Sequence, residues 1–212
     1  MMKKALVALA FSGIAMSAQA GDVLLQEGFE NVFDLPGQGW VFTNASTPGG
    51  ATNGWTQGTT AAFDAQQGTP ASFAGANYSS AAAGGTLNAW LITPEFTTTW
   101  GNTVSFWLRG GADAGFSDQV AFGISQGGSA MSDFSLLPSF TVPQGEWTRY
   151  IFDVAFREGT ARFAIQYTGA ADVSNYVGLD SLVISDVPEP TTMAILFAGA
   201  MGQAMSRRRK RS

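Results

Sequence analysis

The stretch "TVSFWLR", Thr103 to Arg109, alternates apolar and polar side chains with a period of two. Successive Cβ atoms of a strand point to opposite faces, so Val104, Phe106 and Leu108 form one face and Ser105, Trp107 and Arg109 the other. The period recurs downstream. In "VAFGIS", Val120, Phe122 and Ile124 alternate with Ala121, Gly123 and Ser125. "RYIFDVAF" sets Tyr150, Phe152, Val154 and Phe156 on one face, and "RFAIQYT" does the same with Phe163, Ile165 and Tyr167. Helical periodicity is nearly absent from 21 to 186, and Gly, Pro, Asn and Asp clusters punctuate the runs. A strand with one apolar face needs a second sheet to bury it. The pattern therefore predicts an all-β fold, an antiparallel β-sandwich. Thr43 to Gly85 departs from it, being rich in Gly, Ala, Ser, Thr and Asn, and its spaced aromatics Trp55, Phe63, Phe73 and Tyr78 predict long ordered loops pinned to the sandwich.

The two ends of the 212-residue chain read differently from this body. Lys3 and Lys4, the apolar "ALVALAFSGIAM" and the small residues Ala18 and Ala20 have the layout of a secretory signal peptide over 1–20, cleaved after Ala20 by signal peptidase. At the other end, 191–206 is an uncharged run of mostly small and apolar residues, followed by Arg207, Arg208, Arg209, Lys210 and Arg211. As a single apolar helix it would be roughly 24 Å long, marginal for a hydrocarbon core of about 30 Å. Basic residues beside a span stay cytoplasmic, which predicts a type I membrane topology before any processing.

Between the ends, 21–186 is one domain's worth of chain. Its only basic residues are Arg109, Arg149, Arg157 and Arg162, against fifteen of the sixteen acids, for a net charge of about −11. Nucleic acid is excluded as a partner on this balance, and divalent cations are favoured. The chain has neither cysteine nor histidine. It therefore has no disulfide, no thiolate site, no Ser-His-Asp arrangement and not the commonest general base, which argues against an enzyme. "GISQG" lacks the histidine partner of a nucleophile elbow. The acids are scattered, without the cluster a polysaccharide-degrading enzyme would use.

Pro188-Glu189-Pro190, the apolar span and the terminal basic cluster, in that order over 187–212, resemble the PEP-CTERM sorting signal of Gram-negative bacteria. The resemblance implies a protein transiently anchored in the inner membrane, processed by an exosortase and delivered to the cell surface or extracellular matrix. "LLQEGFEN", Gly39-Trp40, "NGW" at 53–55, "NAWLITPEF", "TVSFWLR" and "YVGLDSLVIS" resemble in turn the choice-of-anchor J domain, related to the cleaved-adhesin and MAM domains. That resemblance implies a jelly-roll sandwich over 21–186 acting as a binding or structural module, with surface proteins or exopolysaccharide as partners.

Two candidate sites follow. A jelly roll brings its first and last strands together, and Glu30 and Asp180 fall there. Related sandwiches hold a structural Ca²⁺ at such positions, so these two carboxylates, with carbonyls or a third acid such as Glu27 or Asp64, are the expected metal ligands. The second site is Trp107 with Arg109. If Phe106 and Leu108 point inward, Trp107 points outward among Ala121, Gly123, Ser125, Ala164 and Gln166, either as an aromatic groove for carbohydrate or beneath the 43–85 loops. Trp40 and Trp90 are expected in the core.

Overall fold

The computed structural model describes residues 21–98, 101–155 and 157–187. Six strands form one sheet: β1 (Val23–Glu27), β4 (Thr56–Gln57), β5 (Ala74–Asn77), β8 (Asn102–Gly110), β12 (Thr148–Val154) and β14 (Tyr176–Asp186). Eight form the other: β2 (Val41–Asn44), β3 (Thr47–Gly49), β6 (Ala81–Ile92), β7 (Phe96–Thr97), β9 (Gln119–Ser125), β10 (Ser135–Leu136), β11 (Phe140–Thr141) and β13 (Thr160–Ala170). The first sheet runs β12-β8-β14-β5-β4, with β1 also on β14, and the spine of the second is β10-β9-β13-β6-β2. All ladders between these strands are antiparallel. This is the jelly-roll sandwich that the alternating pattern and the resemblance predict.

The faces divide as the period requires. Val104, Phe106 and Leu108 of β8 are buried against Phe122, Phe163 and Ile165 of the second sheet. Phe106 joins the two layers, meeting Phe122 edge-on at 5.1 Å and Phe163 at 5.2 Å between ring centroids. Each such ring contributes about 1.5–3 kcal/mol through burial alone. Trp40, Trp55 and Trp90 are buried too.

Three expectations need correction. Trp107 is not flanked by Ala121, Gly123, Ser125, Ala164 and Gln166. Its strand lies between β12 and β14 in the first sheet, whereas those residues belong to β9 and β13 of the second. Their outward face is itself covered: Trp90, Ile92 and Ala164 pack under Phe134 and Leu136, and a Cβ on Gly123 would lie 2.0 Å from the Ser135 carbonyl. Thr43 to Gly85 is not only loop, because β5 and the start of β6 are strands of small residues. They are held by their ladders to β14 and β3 rather than by an alternating apolar face. Within that region Trp55, Phe63 and Phe73 are buried as pins, but Tyr78 is exposed.

The first and last strands pair, with Leu25 opposite Ile184 and Glu27 opposite Leu182. Glu30 lies beyond β1, in the turn before a 3₁₀ helix over Val32–Gln38. The signal-peptide residues Ala18 and Ala20, the motif Pro188-Glu189-Pro190, the 191–206 span and the 207–211 basic cluster lie outside the described residues. Among the described residues no helix is long and apolar enough to cross a membrane.

Candidate functional site

β14 changes partner halfway along one edge, pairing with β5 through Leu179 and with β1 from Leu182. Its register with β8 slips between Asp180 and Val183, and Ser181 takes a left-handed φ of 50°. Such a bulge re-aims a side chain. Here it turns Asp180 under the 58–73 loop. The buried Asp180 carboxylate accepts the N–H groups of Gln66 at 2.8 Å and Gln67 at 3.1 Å on one oxygen. Its other oxygen accepts the Ser181 N–H at 2.5 Å and the Ser181 hydroxyl at 3.3 Å. Burial raises its carboxyl to about 6, against the lowering effect of those donors. Glu27 is also raised by burial, opposed by its acceptance of the Phe29 N–H at 2.6 Å and reinforced by the charge of Glu30.

A carboxylate offers about four lone-pair directions, and in Asp180 three are taken by the Gln66, Gln67 and Ser181 N–H groups, with the Ser181 hydroxyl, which donates to Gln66 Oε1 at 2.8 Å, beside the fourth. Glu30 is exposed and folds back over Gly28. The pair does not fit the calcium expected at these positions, since Ca²⁺ requires six to eight free oxygens at about 2.3–2.6 Å. Among the described residues, no three carboxylates gather to hold a metal.

The 58–73 segment is an Ω-loop closed at its neck by the Gly58 N–H on the Phe73 carbonyl at 2.7 Å. Gln57 fastens the neck, donating to the Phe29 and Ala71 carbonyls and accepting from the Val32 N–H. Phe63 and Phe73 stack at 5.1 Å and pack on Tyr176, while Trp147 meets Phe63 edge-on and donates its indole N–H to the Asp64 carbonyl at 2.9 Å. Only glycine fits beneath: a Cβ on Gly178 would lie 2.7 Å from Phe63 and 2.9 Å from Trp147. Arg109 is drawn into this cluster, with its guanidinium carbon 4.5 Å from the Phe63 ring centroid. Trp107 is half-buried, opposite Asp180 on one side and Arg149 on the other. The structure thus places Arg109 in the packing of the loop and not beside Trp107 in an open groove.

Two larger clefts lie elsewhere. One, of about 710 Å³, opens at the end of the sandwich where β14 begins. Its floor is Gly50, Ala51 and Ala81–Ala83, and the exposed rings of Tyr78 and Phe116 line it together with Asp172 and Asn175. The other, of about 660 Å³, has a mixed lining in which Ser125, Gln126, Asp133 and Arg157 stand beside Ile124 and Val154. Each is lined by a single carboxylate, where glycoside hydrolysis uses two. Sequence reading missed the first cleft because a floor of alanine and glycine carries no periodic signal; Tyr78 and Phe116 were the only visible traces.

Residues 186–210 match the PEP-CTERM protein-sorting motif. The body resembles the cleaved adhesin domains of Lys-gingipain. With the K1 domain from Porphyromonas gingivalis W83 it shares 22% identity over 79% of this chain and all of that one, at a TM-score of 0.63. The K3 domain gives 22% identity over 79% and 100%, with a TM-score of 0.58. The K2 domain gives 18% over 77% and 98%, with a TM-score of 0.55. A sequence search of curated proteins finds no match. The chain is therefore a cleaved-adhesin-like β-sandwich. More particularly, it carries over residues 186–210 the PEP-CTERM sorting motif of an exported, exosortase-sorted protein.

Proposed function

We propose that the protein is a non-catalytic adhesive or structural module of the cell surface or extracellular matrix, released from a transient membrane anchor by cleavage near Pro188-Glu189-Pro190. The observation that carries this reading is the junction itself. The last residue of β14, Asp186, is also the first residue of the sorting motif. Intact mass of protein recovered from cells and medium tests it. A C-terminus between about 186 and 190, lost in a Glu189→Ala variant, is the expected result. Retention of Arg207 to Ser212 in the mature protein would instead make it a permanently anchored surface protein.

The exposed Tyr78 and Phe116 favour a carbohydrate ligand and move its site away from Trp107 and Arg109. Two rings beside a shallow small-residue floor suit the apolar face of a pyranose, with Asp172 and Asn175 available to its hydroxyls. The low cation content of the body favours a neutral over an anionic glycan. Affinity electrophoresis in neutral exopolysaccharide should show retardation that Tyr78→Ala and Phe116→Ala each weaken about tenfold, or ~1.4 kcal/mol. Retardation unchanged in both variants would remove the cleft from consideration.

A further inference from the structure

β12 is open along one side. It pairs only with β8, through seven successive residues from Thr148 to Val154 without a bulge, and among the described residues no other backbone group bonds to it. The strands at the other sheet edges are shorter, five residues at most. Long open edges are ordinarily blunted by proline, by a bulge or by charge, lysine above all. β12 has no proline, no lysine and no bulge, and its two charges, Arg149 and Asp153, are of opposite sign. Alternation sets Arg149, Ile151 and Asp153 on the outer face, all three exposed, with Ile151 at 60%. On the inner face Tyr150 and Phe152 meet Phe140 and Phe122 of the second sheet, yet both rings are only half-buried, since no further strand extends the first sheet over them.

Two copies of this edge complement one another. Residues directly opposite in an antiparallel pair share a face, so a two-fold pairing is centred on a single residue. Centred on Ile151, it sets Ile151 against the partner's Ile151, Arg149 against the partner's Asp153 and Tyr150 against the partner's Phe152. Centred on Tyr150 or Phe152, it sets Arg149 against Ile151 or Ala155 and leaves the charges unmatched. Opposite charges and aromatic rings are the cross-strand pairs that stabilise sheets. Asp153 accepts the Thr103 hydroxyl on Oδ1 at 3.1 Å, which leaves Oδ2 for a guanidinium, and among the described residues Arg149 is in no ion pair.

We infer that β12 is a docking edge for a second copy of this chain, paired antiparallel about Ile151, so that the two six-stranded sheets continue into one another. Both copies use the same strand, so the contact closes at a dimer and does not grow into a fibre. Seven residues at about 3.4 Å each make a ladder about 24 Å long. That is small for a specific interface, and a dissociation constant of about 10–100 μM is expected. The edge shares no residue with the Tyr78 and Phe116 cleft, and dimerisation needs no carbohydrate.

Sedimentation equilibrium of the protein recovered from cells and medium tests this, at about 0.15 M salt to screen the net negative charge of the two bodies. The wild type should pass from monomer to dimer between about 5 and 200 μM. Arg149→Asp sets two acids opposite each other, and Asp153→Arg two bases, so each alone should weaken the dimer at least about tenfold. Mixed in equal amounts, the two variants face each other with opposite charges and should regain an affinity within about threefold of the wild type. Both positions are exposed, and unchanged melting temperatures would show that the variants fold. A wild type that stays monomeric at about 200 μM would overturn the inference. So would a dimer that both single variants keep, which would place the contact elsewhere, or a mixture that stays monomeric, which would reject the pairing about Ile151.

Discussion

At the scale of single residues, Gly178 and Asp180 show how closely the loop is fitted to the sheet. Gly178→Ala would press a methyl into Phe63 and Trp147, and overpacking of this kind costs about 1–3 kcal/mol. Urea unfolding should show that loss as a lowered midpoint at unchanged slope. Asp180 makes a different prediction. Its folded carboxyl, at about 6, lies above its ordinary value of 3.8, so the folded state binds the proton more tightly. Its contribution is fully present below about pH 4 and is lost as pH rises through about 6. Asp180→Asn removes the titrating group and should flatten the dependence on pH across that window. A melting series from about pH 3.5 to 7.5 checks both points. Sequence placed Asp180 in the last strand, beside the first. Its partners were illegible, because the N–H groups of Gln66 and Gln67 belong to the backbone and no side-chain pattern announces them.

At the scale of elements, legibility follows the side chains. β8, β9 and β13 bury large residues on their inward face, β12 half-buries Tyr150 and Phe152 and buries Val154, and their period gave them away. β5, reading Ala-Gly-Ala-Asn, and the opening of β6 bury little side-chain surface, so nothing in their composition separates them from loop. The Ω-loop belongs to neither class, being fixed by Phe63, Phe73 and the donors to Asp180. Phe63→Ala should cost about 3–5 kcal/mol if the loop and sheet unfold together. It should cost less if the loop opens alone, since regions held by few apolar contacts unfold locally. Hydrogen exchange decides between these outcomes: fast exchange confined to 58–73 marks local opening, and exchange spread across β14 marks a single cooperative unit.

At the scale of the whole molecule, the sandwich presents opposite ends to its two proposed tasks. The cleft lined by Ser174 and Asn175 adjoins the start of β14 at Tyr176, and the sorting motif begins at the other end, at Asp186. Eleven residues of one strand, about 36 Å at 3.3 Å each, connect them. A protein held at its C-terminus and pulled through a ligand in the cleft would therefore carry tension lengthwise along β14. That strand is bonded to β8 on one edge and to β5 and β1 on the other. Lengthwise tension shears those ladders, so many hydrogen bonds must yield together instead of peeling apart one after another. Adhesion under flow would draw on this mechanical strength.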